Sequence, residues 1–201
     1  METYRVFPNP FLTPPNVLSE KFLSLGIGTF HNACRYVQEL PYGYNSTRDD
    51  VFILFKEGYG SCTTKHGVVA TLAEEINIPV NKMIGIYAMT EQLVTGTQPI
   101  LEKYHLPYLP MVHCFLHYNA YDVDLTLGNI TGKNQPIEEF LFTQTVAAMI
   151  SEKDEYMLYK KILEDVILKR KEMSGISLLD VLRARTEGIT LLHSKVDMKI
   201  K

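Results

Sequence analysis

Apolar positions recur along this chain with two periods. Val68, Val69, Leu72, Ala73 and Ile76 fall at helical spacing, with Glu74 and Glu75 off the stripe, which predicts a helix from about Cys62 to near Asn77. Upstream, a first helix is predicted from about Val17 to Leu25, stopped at Gly26 and Gly28. Thr29 caps a second helix over Phe30 to Leu40, with Phe30, Ala33, Cys34 and Val37 on its stripe. A short helix starts at Asp49 or Asp50 and runs through Lys56 to a break at Gly58. Period-two runs follow: a strand over about Lys82 to Met89, then Val112 to Tyr118 and Tyr121 to Leu125, joined by a tight turn at Asn119-Ala120.

The remaining stretches lack these periods or carry breakers. Residues 1–15, with Pro8, Pro10, Pro14 and Pro15, read as an irregular extended arm, Tyr42 to Arg48 as a turn-rich loop, and Leu127 to Gln135 as another. Residues 90–110 read as a long loop of the kind that borders a site. The remainder reads as helical, over about Ile137 to Ile150, Lys153 to Lys171 and Ser177 to His193, with a polar, fraying tail from Ser194 to Lys201. Helices, then strands, then helices predict an α+β fold. Residues 1–135 form its core with the N-terminal arm, and 136–201 a helical extension packed on that core in one compact domain.

The chemistry centres on Gly58-Tyr59-Gly60-Ser61-Cys62. Ser61 is a good helix cap, which puts Cys62 in the first turn, where unsatisfied N–H groups and the helix dipole favour a thiolate. The other reading of the same residues is a small buried side chain at a tight turn. A thiolate nucleophile needs a base and a group that orients the base. With Asn119 and Ala120 as the turn, Tyr118 pairs with Tyr121, His117 with Asp122, Phe115 with Asp124 and His113 with Thr126. Side chains alternate, so His113, Phe115, His117, Asp122, Asp124 and Thr126 share one face. Asp124 is then the diagonal neighbour of His113, while Asp122 is better placed for His117. That geometry selects Cys62, His113 and Asp124. A rival set, Cys62, His66, His113 and His117, has the residue types for zinc but matches no known zinc spacing. Cys34 reads as core, Lys65 as solvated, and His66 as a neighbour of the site or a helix-surface residue.

Composition narrows the classes. A net charge of −3 gives no electrostatic case for nucleic acid or an anionic membrane surface. No run of about 18 apolar residues is present, and residues 1–15 lack the apolar stretch of a signal peptide. Three cysteines without framework spacing point away from disulfides and toward a reducing, cytoplasmic setting.

Gly60-Ser61-Cys62 opening a helix, His113 on a strand with Phe115 two residues on, and Asp124-Leu125-Thr126 on the next strand together resemble the transglutaminase-like superfamily. That superfamily includes peptide N-glycanases and bacterial thiol peptidases and shares a papain-like active-site plan. Leu125 stands where the family's Asp-Pro-Thr has proline, and the run Glu74 to Val80 resembles the family's helix-to-strand junction. The resemblance covers roughly residues 30–126. It implies Cys62 as nucleophile, His113 as base and acid, and Asp124 as orienting group. It also implies an oxyanion donor upstream of the cysteine, for which the loop Tyr42-Gly43-Tyr44-Asn45 is a place that no motif fixes. The expected function is hydrolysis of a peptide, protein or small amide through an acyl-enzyme on Cys62. Amine acyl transfer with the same triad is one alternative, and a catalytically inactive binding module on the same fold is another. No cofactor, metal, nucleic-acid or membrane partner is expected.

Overall fold

The computed structural model describes residues 2–200, with side chains through Val196. Its elements, in chain order, are α1 (Val17–Ser24), α2 (Phe30–Glu39), α3 (Ile53–Glu57), α4 (Cys62–Glu75), β1 (Asn81–Met89), α5 (Gln98–Tyr104), β2 (Leu109–Tyr118), β3 (Tyr121–Val123), β4 (Phe142–Val146), α6 (Glu152–Ile162) and α7 (Leu178–Ile200). The fold is α+β, and the four strands form one antiparallel sheet in the order β3-β2-β1-β4. By contacts the chain divides into two units. One comprises Met1–Ile84, Cys114–Asn129 and Gln144–Ser151; the other comprises Gly85–His113, Ile130–Thr143 and Glu152–Lys201.

In the first unit α4 is the central element, packed against α1, α2 and α3. Val68, Val69, Ala70, Leu72 and Ala73 are all buried, so the helix has no broad solvent face. α1 ends before Gly26, which adopts φ 76°, and the Thr29 side chain accepts from the Asn32 N–H to cap α2. The N-terminal arm is more structured than its prolines suggest. It begins with a 3-10 turn, Thr3–Val6, and sends Tyr4, Phe7 and Leu12 into the core. Phe7 meets the rings of Phe30 and Tyr118 at 5.9 and 5.8 Å. Glu75 reaches back to α1: its carboxylate accepts from the Leu18 and Ser19 N–H groups at 2.9 and 3.0 Å. These are orphan donors at the positive end of a helix, where a carboxylate is favoured.

The hairpin has the expected register, Leu116↔Val123, His117↔Asp122 and Tyr118↔Tyr121, with Asn119 at φ 53° in the turn. The ladder then stops. Asp124 accepts the Thr126 N–H and hydroxyl at 2.8 and 2.7 Å, an Asx-type turn that ends β3 at Val123. The expected pairs Phe115–Asp124 and His113–Thr126 are therefore not part of the ladder.

In the second unit the loop expected over 90–110 contains α5, which has Pro99 in its first turn and ends at His105 with φ 53°. Glu187 of α7 accepts from Lys103 and Tyr104 of α5, both at 2.6 Å. The Tyr159 hydroxyl, buried on α6, donates to the Pro110 carbonyl at 2.8 Å. The helix expected over Ile137 to Ile150 is not formed. β4 occupies Phe142–Val146, where Thr143, Thr145 and Val146 favour a strand, and it lies at the sheet edge with an exposed middle. Leu141 starts its pairing, donating to the Ile86 carbonyl at 2.7 Å. The helix expected over Lys153 to Lys171 ends at Ile162 and passes into a π turn, Leu163–Ile167. The helix expected over Ser177 to His193 runs on as α7 to Ile200, through most of the tail expected to fray over Ser194 to Lys201. Among the described residues no helix is long and apolar enough to cross a membrane.

Replacing Glu75 with alanine is expected to lower the unfolding free energy by about 1–2 kcal/mol, because α1 loses its cap. Urea unfolding measures it, with Glu74→Ala, at an exposed position, as the control expected within about 0.5 kcal/mol of wild type.

Candidate functional site

The Cys62 turn is built by close approach. Gly58 ends α3 in the left-handed region, at φ 72°. At Gly60 an added Cβ would press on the end of the Leu54 side chain and lie 2.9 Å from Thr64 Oγ1, so any larger residue would make those side chains shift. Gly60 donates to the Pro41 carbonyl, and Gly43 donates back to the Gly60 carbonyl. Asn45 completes this tie. Its amide donates to Glu57 and to the Tyr59 carbonyl at 2.8 and 2.9 Å, and its oxygen accepts from Thr64 Oγ1 at 2.7 Å and from the Ser61 N–H at 3.4 Å. Ser46 and Asn45 together hold the Glu57 carboxyl below its usual range. Both Asn45 N–H groups thus go to structural acceptors, and Asn45 ties the turn rather than offering an oxyanion donor.

Cys62 is the first residue of α4, with Ser61 at the cap position. Ser61 makes no side-chain bond to the helix N–H groups; its hydroxyl lies 3.3 Å from Thr64 Oγ1 instead. Cys62 is buried, at 8% exposure. Thr63 contacts Cys114 Sγ through its hydroxyl at 3.6 Å and accepts from the Arg48 guanidinium at 3.5 Å. Cys34 lies in the core as expected, and burial pushes its thiol well above the usual range. None of the three cysteines is in a disulfide.

Of the next two residues, Lys65 differs from expectation, while His66 takes the first of its two readings, a neighbour of the Cys62 turn. Lys65 is not solvated and His66 is not on a helix surface, because both are wholly buried. The Lys65 ammonium donates to the carbonyls of Gln38 and Leu40 and to the Asn129 side-chain oxygen. Asn129 in turn donates to the Gln38 carbonyl at 3.0 Å, and Gln38 donates to the Leu127 carbonyl at 3.2 Å. One ammonium therefore joins α4, the C-terminal end of α2 and the segment after β3. Burial pushes Lys65 down to about 7, opposed by the nearby negative charge of Asp124. His66 Nδ1 lies 2.8 Å from the Cys62 carbonyl, and Nε2 accepts the Leu125 N–H at 2.8 Å. Asp124 Oδ1 is 3.4 Å from the same Nε2.

Two of the sequence-selected residues, Cys62 and Asp124, are thus brought together through His66. His113 belongs to the second unit; it is buried on β2 and stacks on Phe140, with ring centroids 6.4 Å apart and planes at 10°. His117 bonds Asp122 at 2.7 Å, the partner its register assigns. Among the described residues no three His, Cys, Asp or Glu side chains are gathered for a metal ion, the set Cys62, His66, His113 and His117 included. A signal for Lys65 and His66 did exist in the sequence. The apolar residues that follow them cover most of the helix circumference, and a helix apolar nearly all round is buried along its length. No family model, no curated protein and no solved structure matches the chain.

The Lys65 charge makes stability depend on pH. Its folded value, near 7, lies below the usual 10.5, so between those pH values the unfolded chain binds the extra proton. Stability from this group is present above about 10.5 and is lost as pH falls through 7. Lys65→Met is expected to be less stable overall. It should also flatten the rise of unfolding free energy between pH 7.5 and 9.5 by up to about 1.4 kcal/mol per pH unit. Urea titrations of both proteins at several pH values measure this, and equal slopes would refute it.

Proposed function

We propose that this chain is a thiol enzyme on a papain-like, transglutaminase-like core that hydrolyses a peptide or other amide. Cys62 is its nucleophile, His113 its acid and base, and Asp124 the carboxylate that orients the base. The Cys62 thiolate attacks the carbonyl carbon and forms a carbon–sulfur bond. His113 protonates the nitrogen as the carbon–nitrogen bond breaks, and the amine leaves. Water, activated by the same imidazole, then releases the acid and regenerates the thiol. An amine in place of water gives acyl transfer through the same intermediate.

The observation that carries the proposal is the seat of Cys62. It is the first residue of a fourteen-residue helix, α4, that is entered from a turn tied on one side by Asn45 and pinned on the other by Lys65 and His66. First-turn N–H groups at that position stabilise both a thiolate and the oxyanion formed beside it. The hairpin register gives Asp122 to His117, as the sequence argument requires, although the ladder ends before Asp124. The burial of Cys62 favours the second reading, a binding module of the same fold with no turnover.

Iodoacetamide labelling separates the two. As an enzyme, the protein is alkylated at Cys62 at least tenfold faster than at Cys34 or Cys114, with an apparent pKa well under the ordinary value of about 8.5. His113→Gln then raises that apparent pKa. If Cys62 reacts no faster than the two core cysteines, the module reading holds.

A further inference from the structure

The hydrogen bonds around His66 fix its tautomer. A backbone N–H can only donate, so Nε2, which receives Leu125, carries the lone pair. The ring hydrogen is then on Nδ1, and the Cys62 carbonyl accepts it at 2.8 Å. The ring is neutral in this arrangement and spans from the first turn of α4 to the peptide that follows Asp124. The second partner of Nε2 has the opposite chemistry. Asp124 Oδ1 stands 3.4 Å from it and already accepts the Thr126 N–H and hydroxyl. An unprotonated Nε2 suits the amide; a protonated Nε2 suits the carboxylate.

We infer that His66 is a positioning residue of the Cys62 site, and that its protonation exchanges the Leu125–His66 hydrogen bond for a His66–Asp124 ion pair, moving the Asp124 loop against the Cys62 turn. The proton comes from solvent, and no covalent bond changes. Asp124, from the loop after β3, favours the charged ring. Lys65, from α4 itself, opposes it through its ammonium, which is bonded to Asn129 of the same loop and to the α2 carbonyls. Cys62 precedes it on α4, and Cys114 of β2 faces the neighbouring Thr63. The effect on reactivity rests on the thiol-enzyme proposal: with Asp124 drawn onto His66, the carboxylate no longer serves the base. The protonation-linked exchange itself does not depend on that proposal.

Nitrogen-15 NMR of the full chain tests the exchange directly. At about pH 8 the His66 ring should show the Nδ1–H tautomer, and the Leu125 amide should be strongly protected from hydrogen exchange. On acidification the ring should become imidazolium while Leu125 protection falls about tenfold or more at the same midpoint. In His66→Gln the carboxamide oxygen still accepts from Leu125 but does not titrate, so protection should persist across the range. An Nε2–H tautomer at pH 8, or a Leu125 amide indifferent to the ring's midpoint, overturns the inference. Should the variant not fold, the wild-type titration decides alone. Alkylation of Cys62 over the same pH range keeps the two claims apart. Coupled titration of His66 and Leu125 with an ordinary Cys62 thiol upholds the exchange and removes the enzyme reading. A selectively reactive Cys62 whose Leu125 amide does not titrate does the reverse.

Discussion

A lysine and a histidine buried side by side must have their polar atoms met from within the protein, and that requirement organises the first unit. Burying an ammonium without partners costs several kcal/mol, and a hydrogen bond to a charged group returns roughly 1.5–3 kcal/mol. Lys65 finds three oxygens, two of them at the C-terminal end of α2, where carbonyls have no helical partner and carry partial negative charge. The cation thus satisfies a helix end that would otherwise need water. His66 does the same for two peptide groups, the Cys62 carbonyl and the Leu125 N–H. The lysine's bonds need α2, α4 and the segment after β3 all in place, and the histidine's need α4 and that same segment, so these polar contacts specify one packing among the many that the apolar residues alone would permit.

The Cys62 turn is held from two sides by unlike means. On the side of the 41–45 loop the agents are steric closeness and a neutral amide: Gly60 lets the backbones meet, and Asn45 supplies both donors and an acceptor. On the side of the 124–129 loop the agents are titratable, Lys65, His66 and Asp124. The first clamp is insensitive to pH in the neutral range and the second is not. Framed in this way, Cys62 is held in place while its acid–base neighbourhood responds to protons, a division of labour that the proposed acyl transfer would use.

Local signals in the sequence were enough for most of the scaffold. Gly26 and Thr29 bracket α1 and α2 because a left-handed φ and a cap hydroxyl act within one turn of chain. Asn119 sets the hairpin register for the same reason. Failures came where a distant partner decided the outcome. Phe142 to Val146 became a strand because it pairs with β1 at the sheet edge, a partner more than fifty residues away in the chain. α5 was hidden by Pro99, which breaks helices in their interior but is welcome in the first turn. The apolar run after Lys65 marks its helix as buried, but the acceptors that let an ammonium lie there are 25, 27 and 64 residues away, beyond any window of local pattern. Asp124 was placed near the right elements by the hairpin argument, yet the turn it makes with Thr126 removed it from the ladder on which that argument relied.

The three cysteines allow the competing forces on a buried thiol to be compared within one protein. Cys34 sits inside α2 among apolar side chains, and burial there raises its thiol. Cys114 is equally buried on a strand, where Thr63 is its polar neighbour. Cys62 is little more exposed, so loss of water alone would make it as inert as the others. What distinguishes it is position: the helix dipole and the N–H groups of a first turn act there and fall away within one turn. If those groups outweigh desolvation the sulfur is a nucleophile, and if they do not the turn has merely been built tightly around a small side chain. The rigidity contributed by Asn45, Lys65 and His66 bears on that balance, because dipoles held in place lose nothing to reorganisation as charge develops on sulfur or on a carbonyl oxygen.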